Sequence, residues 1–301
     1  MYFKKQTLKI AGLFILFSFL NKFSIAQTKS NTPTNFYAVT GNGLKDTSWI
    51  FGTYHLINDS YLNEIPLVKK AHTKSKAVVV EIEMDSAKMM QASTAGFMFD
   101  KKLTDFLDKP FTDSLDAELK STLQVGIEPL NQLKPMNIMI TLSFVYLMKN
   151  NEELIKKYTG SPLDQYFANE GKLKGKKVIA LETIEEQMNL LFNAPIEKQI
   201  EQLQYFLRNK KEGIESGNEL IKTWFTHDLN KMFEISQKAL DTFGSEKELL
   251  KNRNDNWMKK LPTIIQNQST FIAVGALHLA GPDGIVNLLE QRGYTLTPIK
   301  L

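Results

Sequence analysis

The chain has 301 residues, 37 Lys and Arg against 33 Asp and Glu, 43% hydrophobic residues and no cysteine. Without a thiol there is no disulfide, no lipid-modified cysteine, no thiol nucleophile and no thiolate metal site, so its chemistry rests on oxygen and nitrogen donors. The excess positive charge belongs to residues 1–26, which hold Lys4, Lys5, Lys9 and Lys22 and no acid; without them 33 basic residues face 33 acidic ones, and nothing in that balance calls for nucleic acid or an anionic membrane as a partner.

The N-terminus reads as an export signal. Three lysines precede an apolar run from Ile10 to Leu20, and Ser24, Ile25 and Ala26 supply a small-x-small exit with cleavage expected after Ala26. A run of that length is well short of the roughly 20 residues that span a bilayer, so the mature protein is expected in the periplasm or outside the cell, with no stable membrane anchor. Residues 27–35 are polar and turn-rich and are expected to form a flexible leader. The residues after Ala26 are enough for one sizeable core, or two closely packed lobes, and residues 36–301 are expected to form one domain.

Phe36 to Thr40 and Thr47 to Tyr54 are β-rich, and Gly41, Asn42, Gly43 and Asp46 between them supply turn chemistry for a hairpin. Asn63 to Ser75 has helical spacing. Ala77 to Glu83 is a continuous β-branched run of the kind found in buried parallel strands. Thr112 to Asn150 and Leu163 to Lys172 are helical in pattern, punctuated by Pro110, Pro129, Pro135 and Pro162, and are expected to form a helical insertion; the Met and aromatic residues of Met136 to Met148 fall at the spacing of core packing. Lys177 to Leu181 is a short strand, Ile184 to Leu261 is mostly helical, and Phe271 to Val274 is a strand running into Gly275, Ala276, Leu277 and His278. A turn over Gly281 to Gly284, a helix to Gln291 and a strand near Tyr294 to Ile299 close the chain. This order predicts an α/β fold: a mixed, mostly parallel central sheet with flanking helices and a large helical insertion.

Four strands are followed by a side chain able to hold a ligand: His55, Glu81, Glu182 and His278. The carboxyl ends of parallel strands form the crevice where α/β proteins bind ligands, so neighbouring strands would bring two imidazoles and two carboxylates together. Both histidines follow a glycine by three residues, Gly52 and Gly275, where a missing Cβ allows close approach of backbone or ligand. With 16 glycines in 301 residues, two of four histidines placed this way is a coincidence of roughly 2 per cent. Imidazole with carboxylate suits Zn²⁺, Mn²⁺, Co²⁺ or Fe²⁺; three protein ligands would leave an open position, and a carboxylate not used as a ligand could serve as general base.

Structural roles account for the same residues singly. His55 could bond the backbone, His278 could mark the approach to a helix, and Glu81 or Glu182 could cap a helix; Glu182 suits a cap best, with Thr183, Glu185 and Glu186 in the same turn. Glu83 either joins the site or lies at its rim. His72 and His227, in charged helical contexts, are expected on the surface, and Asp164 and Glu170 lie on a polar helix face with no partner visible. Arg253 and Asn256, beside Asn254 and Trp257 in the helix-like segment Glu246 to Lys260, are candidate substrate-binding residues. Arg253 could orient a substrate carboxylate or stabilise an oxyanion, or it could simply be solvated or paired with an acid.

Phe51 to His55, Val78 to Glu81, Ala180 to Gln187, Arg253 with Asn254 ahead of Trp257, and Ala273 to Gly284 resemble, in order, the motifs of the TraB/GumN family over nearly the whole mature chain. The resemblance implies a fold of the TIKI/TraB type, distantly like erythromycin-esterase and ChaN proteins. It also implies a secreted hydrolase, a peptidase or amidase, dependent on a divalent ion (Mn, Co or Zn) and acting on a peptide or small-molecule substrate. On it, His55 and His278 match the paired Gly-x-x-His histidines, Glu81 matches the strand-end acid, and Glu182 and Arg253 match further motif positions. The metal ligands are then His55, His278 and Glu81, with Glu81 or Glu182 as the catalytic acid or base. Leu277 stands where the family usually has a second small residue. The alternative is a non-enzymatic periplasmic protein that binds a metal or ligand in connection with surface polysaccharide or transport.

Overall fold

The computed structural model describes residues 33–83, 86–239 and 247–301; the expected export signal, the leader up to residue 32 and the expected helix start at Glu246 lie outside the described residues. The hairpin forms from β1 (Phe36–Gly41) and β2 (Ser48–Thr53), paired antiparallel with Phe36 opposite Phe51. Thr34 and Asn35, assigned above to the leader, are already buried: the Thr34 hydroxyl donates to Ile299 O at 2.6 Å and the Asn35 amide to Gly52 O at 3.0 Å.

β3 (Ala77–Val80), β4 (Lys177–Ala180), β5 (Thr270–Gly275) and β6 (Tyr294–Pro298) complete one six-stranded sheet in the order β4-β3-β5-β2-β1-β6. The first four strands in that order are parallel, and β1 runs antiparallel to β2 and β6. Every residue of β3 and all but the last of β5 are buried, because helices cover both faces and leave no solvent side to call for polar alternation. Their core joins Val78, Val79, Phe51 and Phe271 with Phe167, Trp224, Leu261 and Ile285.

β3 ends at Val80, before the expected Glu83: Leu181 N donates to Val80 O, Glu182 N donates to Glu81 O, and the chain then leaves the ladder. The segment expected as one helix from Asn63 is a 3₁₀ turn (Asp59–Asn63) and then a helix (Pro66–Lys74), with Pro66 in its first turn where a missing N–H costs nothing. The helical insertion has its own core. Leu103, Leu115, Leu119, Met139, Leu142, Leu203 and Phe206 pack together from the turn at Leu103, the helices Lys109–Leu123 and Pro135–Asn150 and, from beyond the expected insertion, Ile196–Arg208. Met136 and Met139 are core residues as expected but Phe144 is exposed, and the helix Leu163–Leu173, expected in the insertion, packs instead on the sheet through Leu163 and Phe167. Among the described residues no helix is long and apolar enough to cross a membrane.

Candidate functional site

β4, β3, β5 and β2 are adjacent and parallel, so Glu182, Glu81, His278 and His55 leave the sheet on one edge, as the strand-end reading expects. Both Gly-x-x-His glycines are close-approach positions. A Cβ on Gly52 would stand 2.9 Å from Ala276 Cα and 3.0 Å from Leu279 Cδ1, so β2 lies directly against the turn that carries His278. A Cβ on Gly275 would stand 3.1 Å from Glu81 Oε1, and Gly275 N donates to that oxygen at 2.7 Å. The second glycine thus seats the carboxylate of the neighbouring strand.

Arg253, from the helix Asn252–Trp257, is the hub of the group. Its Nη2 donates to Glu81 Oε2 at 2.7 Å and to Glu182 Oε1, its Nε donates to Glu182 Oε2 at 3.1 Å, and its Nη1 donates to Leu249 O at 3.2 Å. Nη1 also lies 2.9 Å from His278 Nε2. A guanidinium only donates, so His278 Nε2 accepts, and the ring proton sits on Nδ1, which donates to Asn254 Oδ1 at 2.7 Å. The Asn254 amide agrees with this orientation, donating to His278 O at 3.1 Å and to Asp283 O at 2.8 Å. His278 is neutral: burial first, and Arg253 with it, push its pKa down to about 3 against the pull of Glu81. Burial pushes Glu81 up, but His278, Arg253, His55 and the Gly275 N–H together bring it to about 2; with His278 neutral, Arg253 and His55 are the positive charges that act on it.

His55 stands differently. Its side chain is 73% exposed, whereas that of His278 is 5% exposed. His55 Nδ1 bonds Asp164 Oδ2 at 2.8 Å, and Thr53 donates its hydroxyl to the other oxygen of the same carboxylate. The charge and hydrogen bond of Asp164 raise His55 to about 9, over the opposing effects of burial and of Arg253. Its Nε2 has no bonded partner among the described residues, and its charge is felt by Glu81 and His278.

Several expectations are corrected. Glu182 is not a cap: Thr183 caps the helix Ile184–Phe192, accepting from Glu186 N at 3.1 Å while Glu186 accepts from Thr183 N at 2.8 Å. Glu182 instead receives Arg253, Gln187 Nε2 at 3.1 Å and Trp257 Nε1 at 3.3 Å. Asp164, seen above without a partner, orients His55; the two are 109 residues apart, and no local pattern joins them. His72 is fully buried rather than on the surface, and His227 is half-buried, bonded to Asn35 Oδ1 at 3.0 Å. Glu83 is exposed and pairs with Lys172 at 2.6 Å, outside the group, and Glu170 pairs with Lys174. Asn256 is exposed, its Oδ1 taken by Lys259 at 2.7 Å, and it does not join the others.

The donors suit a divalent ion in kind. Each imidazole bonds through Nδ1 to an oxygen that fixes the ring, the arrangement by which proteins present Nε2 to a metal. Among the described residues, however, no three His, Asp or Glu side chains stand together as an ion's ligands; Arg253 occupies His278 Nε2 and one oxygen of Glu81.

Over 183 residues, 50% of this chain, the sequence is 26% identical to Metalloprotease TIKI2 of Danio rerio; the match covers 35% of that relative, so the chain spans about a third of its length. The model of the TraB/PrgY/gumN family matches residues 35–298, from the start of the hairpin to the end of β6, and the chain belongs to that family.

Proposed function

We propose that this protein is an exported hydrolase that cleaves peptide or related amide bonds with the help of a divalent ion, Mn, Co or Zn, on the sheet edge where β4, β3, β5 and β2 end. The observation that carries the reading is the pair of fixed imidazoles: Asp164 on His55 Nδ1 and Asn254 on His278 Nδ1 leave Nε2 as the ligand atom of each. His55, His278 and Glu81 would hold the ion. The resemblance to a metalloprotease supports the reaction class, and the N-terminal segment supports export to the periplasm or beyond.

A bound divalent ion would supply Lewis-acid polarisation of a carbonyl and a water of lowered pKa. The chain's own residues do the positioning. Asp164 sets the His55 ring and stabilises its proton on Nδ1. Gly275 N–H seats Glu81 on one oxygen, which leaves the second free to face the cleft when Arg253 is not on it. Glu182, held by Gln187 and Trp257, anchors the guanidinium of Arg253 rather than a water. The substrate is a peptide or small amide.

The test is metal content and hydrolysis of a mixed fluorogenic peptide library, measured together on the chain from Gln27 with Mn²⁺, Co²⁺ or Zn²⁺ added, and on His55→Ala and His278→Ala. The expected result is about one ion per chain and metal-stimulated cleavage, with both variants losing at least 100-fold in each. Ion binding without turnover of any peptide would favour the binding-protein alternative, and ion binding unchanged in both variants would end the ligand assignment.

A further inference from the structure

We propose that Arg253 competes with the metal: its guanidinium is the cation that the fold keeps at the site, and a divalent ion reaches His278 and Glu81 only after Arg253 has swung away. The proposal rests on the ligand assignment above and concerns what opposes it.

A neutral imidazole has one ring lone pair, and that of His278 Nε2 is given to Arg253 Nη1 at 2.9 Å. The same atom cannot bond a guanidinium and an ion at once. Glu81 Oε2 is likewise taken by Nη2 at 2.7 Å. Charge acts in the same direction: the guanidinium already offsets one of the two buried carboxylates, Glu81 and Glu182, and a divalent ion beside it would meet a like charge in a site largely closed to water.

Arg253 also has somewhere to go. Its Nε and Nη2 form a side-on pair with the two oxygens of Glu182, and its guanidinium carbon lies 4.9 Å from the centre of the Trp257 ring. Glu182 is independently held by Gln187 and by the indole N–H of Trp257. Pivoting on its Nε bond to Glu182 Oε2, the guanidinium can stay on Glu182 while Nη1 turns away from His278 and Nη2 from Glu81. Glu182 and Trp257 are then the holder of the displaced arginine, which gives Glu182 a role distinct from ligand or base.

The consequence runs against the usual outcome of mutating a metal site: removing Arg253 tightens ion binding. Zn²⁺ affinity is measured by calorimetry on the mature chain, on Arg253→Gln, on Glu182→Gln and on His278→Ala. Arg253→Gln is expected to bind at least tenfold tighter than the unmodified chain. Glu182→Gln, which keeps all three ligands but loosens the hold on Arg253 and does not leave two buried carboxylates unpaired, is expected to alter affinity less. His278→Ala binds weakly or not at all.

On the unmodified chain, Zn²⁺ is expected to shift the NMR signal of the Trp257 indole N–H, which shares Glu182 with the guanidinium; this reading needs no variant to fold. Equal or tighter binding by the unmodified chain than by Arg253→Gln, or Zn²⁺ bound with that indole signal unmoved, overturns the competition while the ligand assignment stands. Absence of Zn²⁺ binding in every form overturns the ligand assignment and the competition with it.

Discussion

Burial and the partner on Nδ1 separate the two histidines that the sequence treats alike. His278 gives its Nδ1 proton to a neutral amide in a buried site and is held neutral; His55 gives its proton to the carboxylate of Asp164 in an open one and is raised to about 9. Asp164→Asn removes the charge and leaves an amide of the same shape, so the His55 pKa should fall by at least one unit toward the ordinary 6.5, with the Glu81 carboxylate still raising it and Arg253 still lowering it. The NMR titration of the His55 ring in metal-free protein reads this directly, and an unmoved midpoint would mean that Asp164 does not govern the ring. A raised pKa stabilises the folded chain below about 6.5, and that contribution goes as the pH rises through about 9. The ring is mostly exposed, so solvent screens the pair and the titration is the sharper readout than unfolding. Sequence reading reached both histidines but not Asp164, because a carboxylate brought in from a helix in a distant part of the chain carries no mark of its partner.

At the scale of elements, the strand ends were legible because each shows a short β-rich apolar run closing on a donor, and the helices between them left room for parallel crossovers. Their order in the sheet was not, since nothing local says that β5 enters between β3 and β2. Gly52 records that insertion. Its neighbour is the Ala276 backbone, which cannot rotate away as a side chain would, so Gly52→Ala should force β2 and β5 apart and cost about 1–3 kcal/mol, the usual range for overpacking a core. Urea unfolding should show a lower midpoint with an unchanged slope; a midpoint equal to that of the unmodified chain would mean that the two strands tolerate a wider spacing. Gly275→Ala is a different case, because its nearest neighbour is the movable Glu81 carboxylate, and there the change falls on the seating of Glu81. Helix starts show the same division. Thr183 with Glu186 is a capping box readable from spacing alone, yet the crowd of acids around it drew the cap onto Glu182, whose partner Arg253 lies 71 residues away.

The whole molecule joins two cores, one on the sheet and one among the middle helices, and the proline punctuation drew their boundary in the wrong place: Leu163 and Phe167 of the expected insertion pack on the sheet, and Leu203 and Phe206 from beyond it complete the second core. What the sequence concealed was how many ionisable groups the sheet core buries. His72 lies between the sheet and the helix Leu163–Leu173, its Nε2–H donating to Phe167 O at 3.2 Å and its ring against Phe167 and Phe271. Burial first, then Lys176, with Lys174 adding less, against the pull of the Phe167 carbonyl and Glu170, lowers its pKa to about 4. The unfolded chain therefore binds a proton near 6.5 that the folded chain refuses until about 4, and the stability tied to His72 is full above 6.5 and lost as the pH falls toward 4. His278 and Glu81 act in the same direction, since both are lowered in the fold, so the chain should weaken steadily on the acid side. His72→Gln isolates one share of that slope at a distance from the site: between pH 7 and pH 4 the gap in unfolding free energy between the two proteins should shift by on the order of 3 kcal/mol in favour of the variant. Urea midpoints at pH 4, 5.5 and 7 measure it. A gap that stays constant with pH would show that His72 takes up its proton in the folded chain as readily as in the unfolded one.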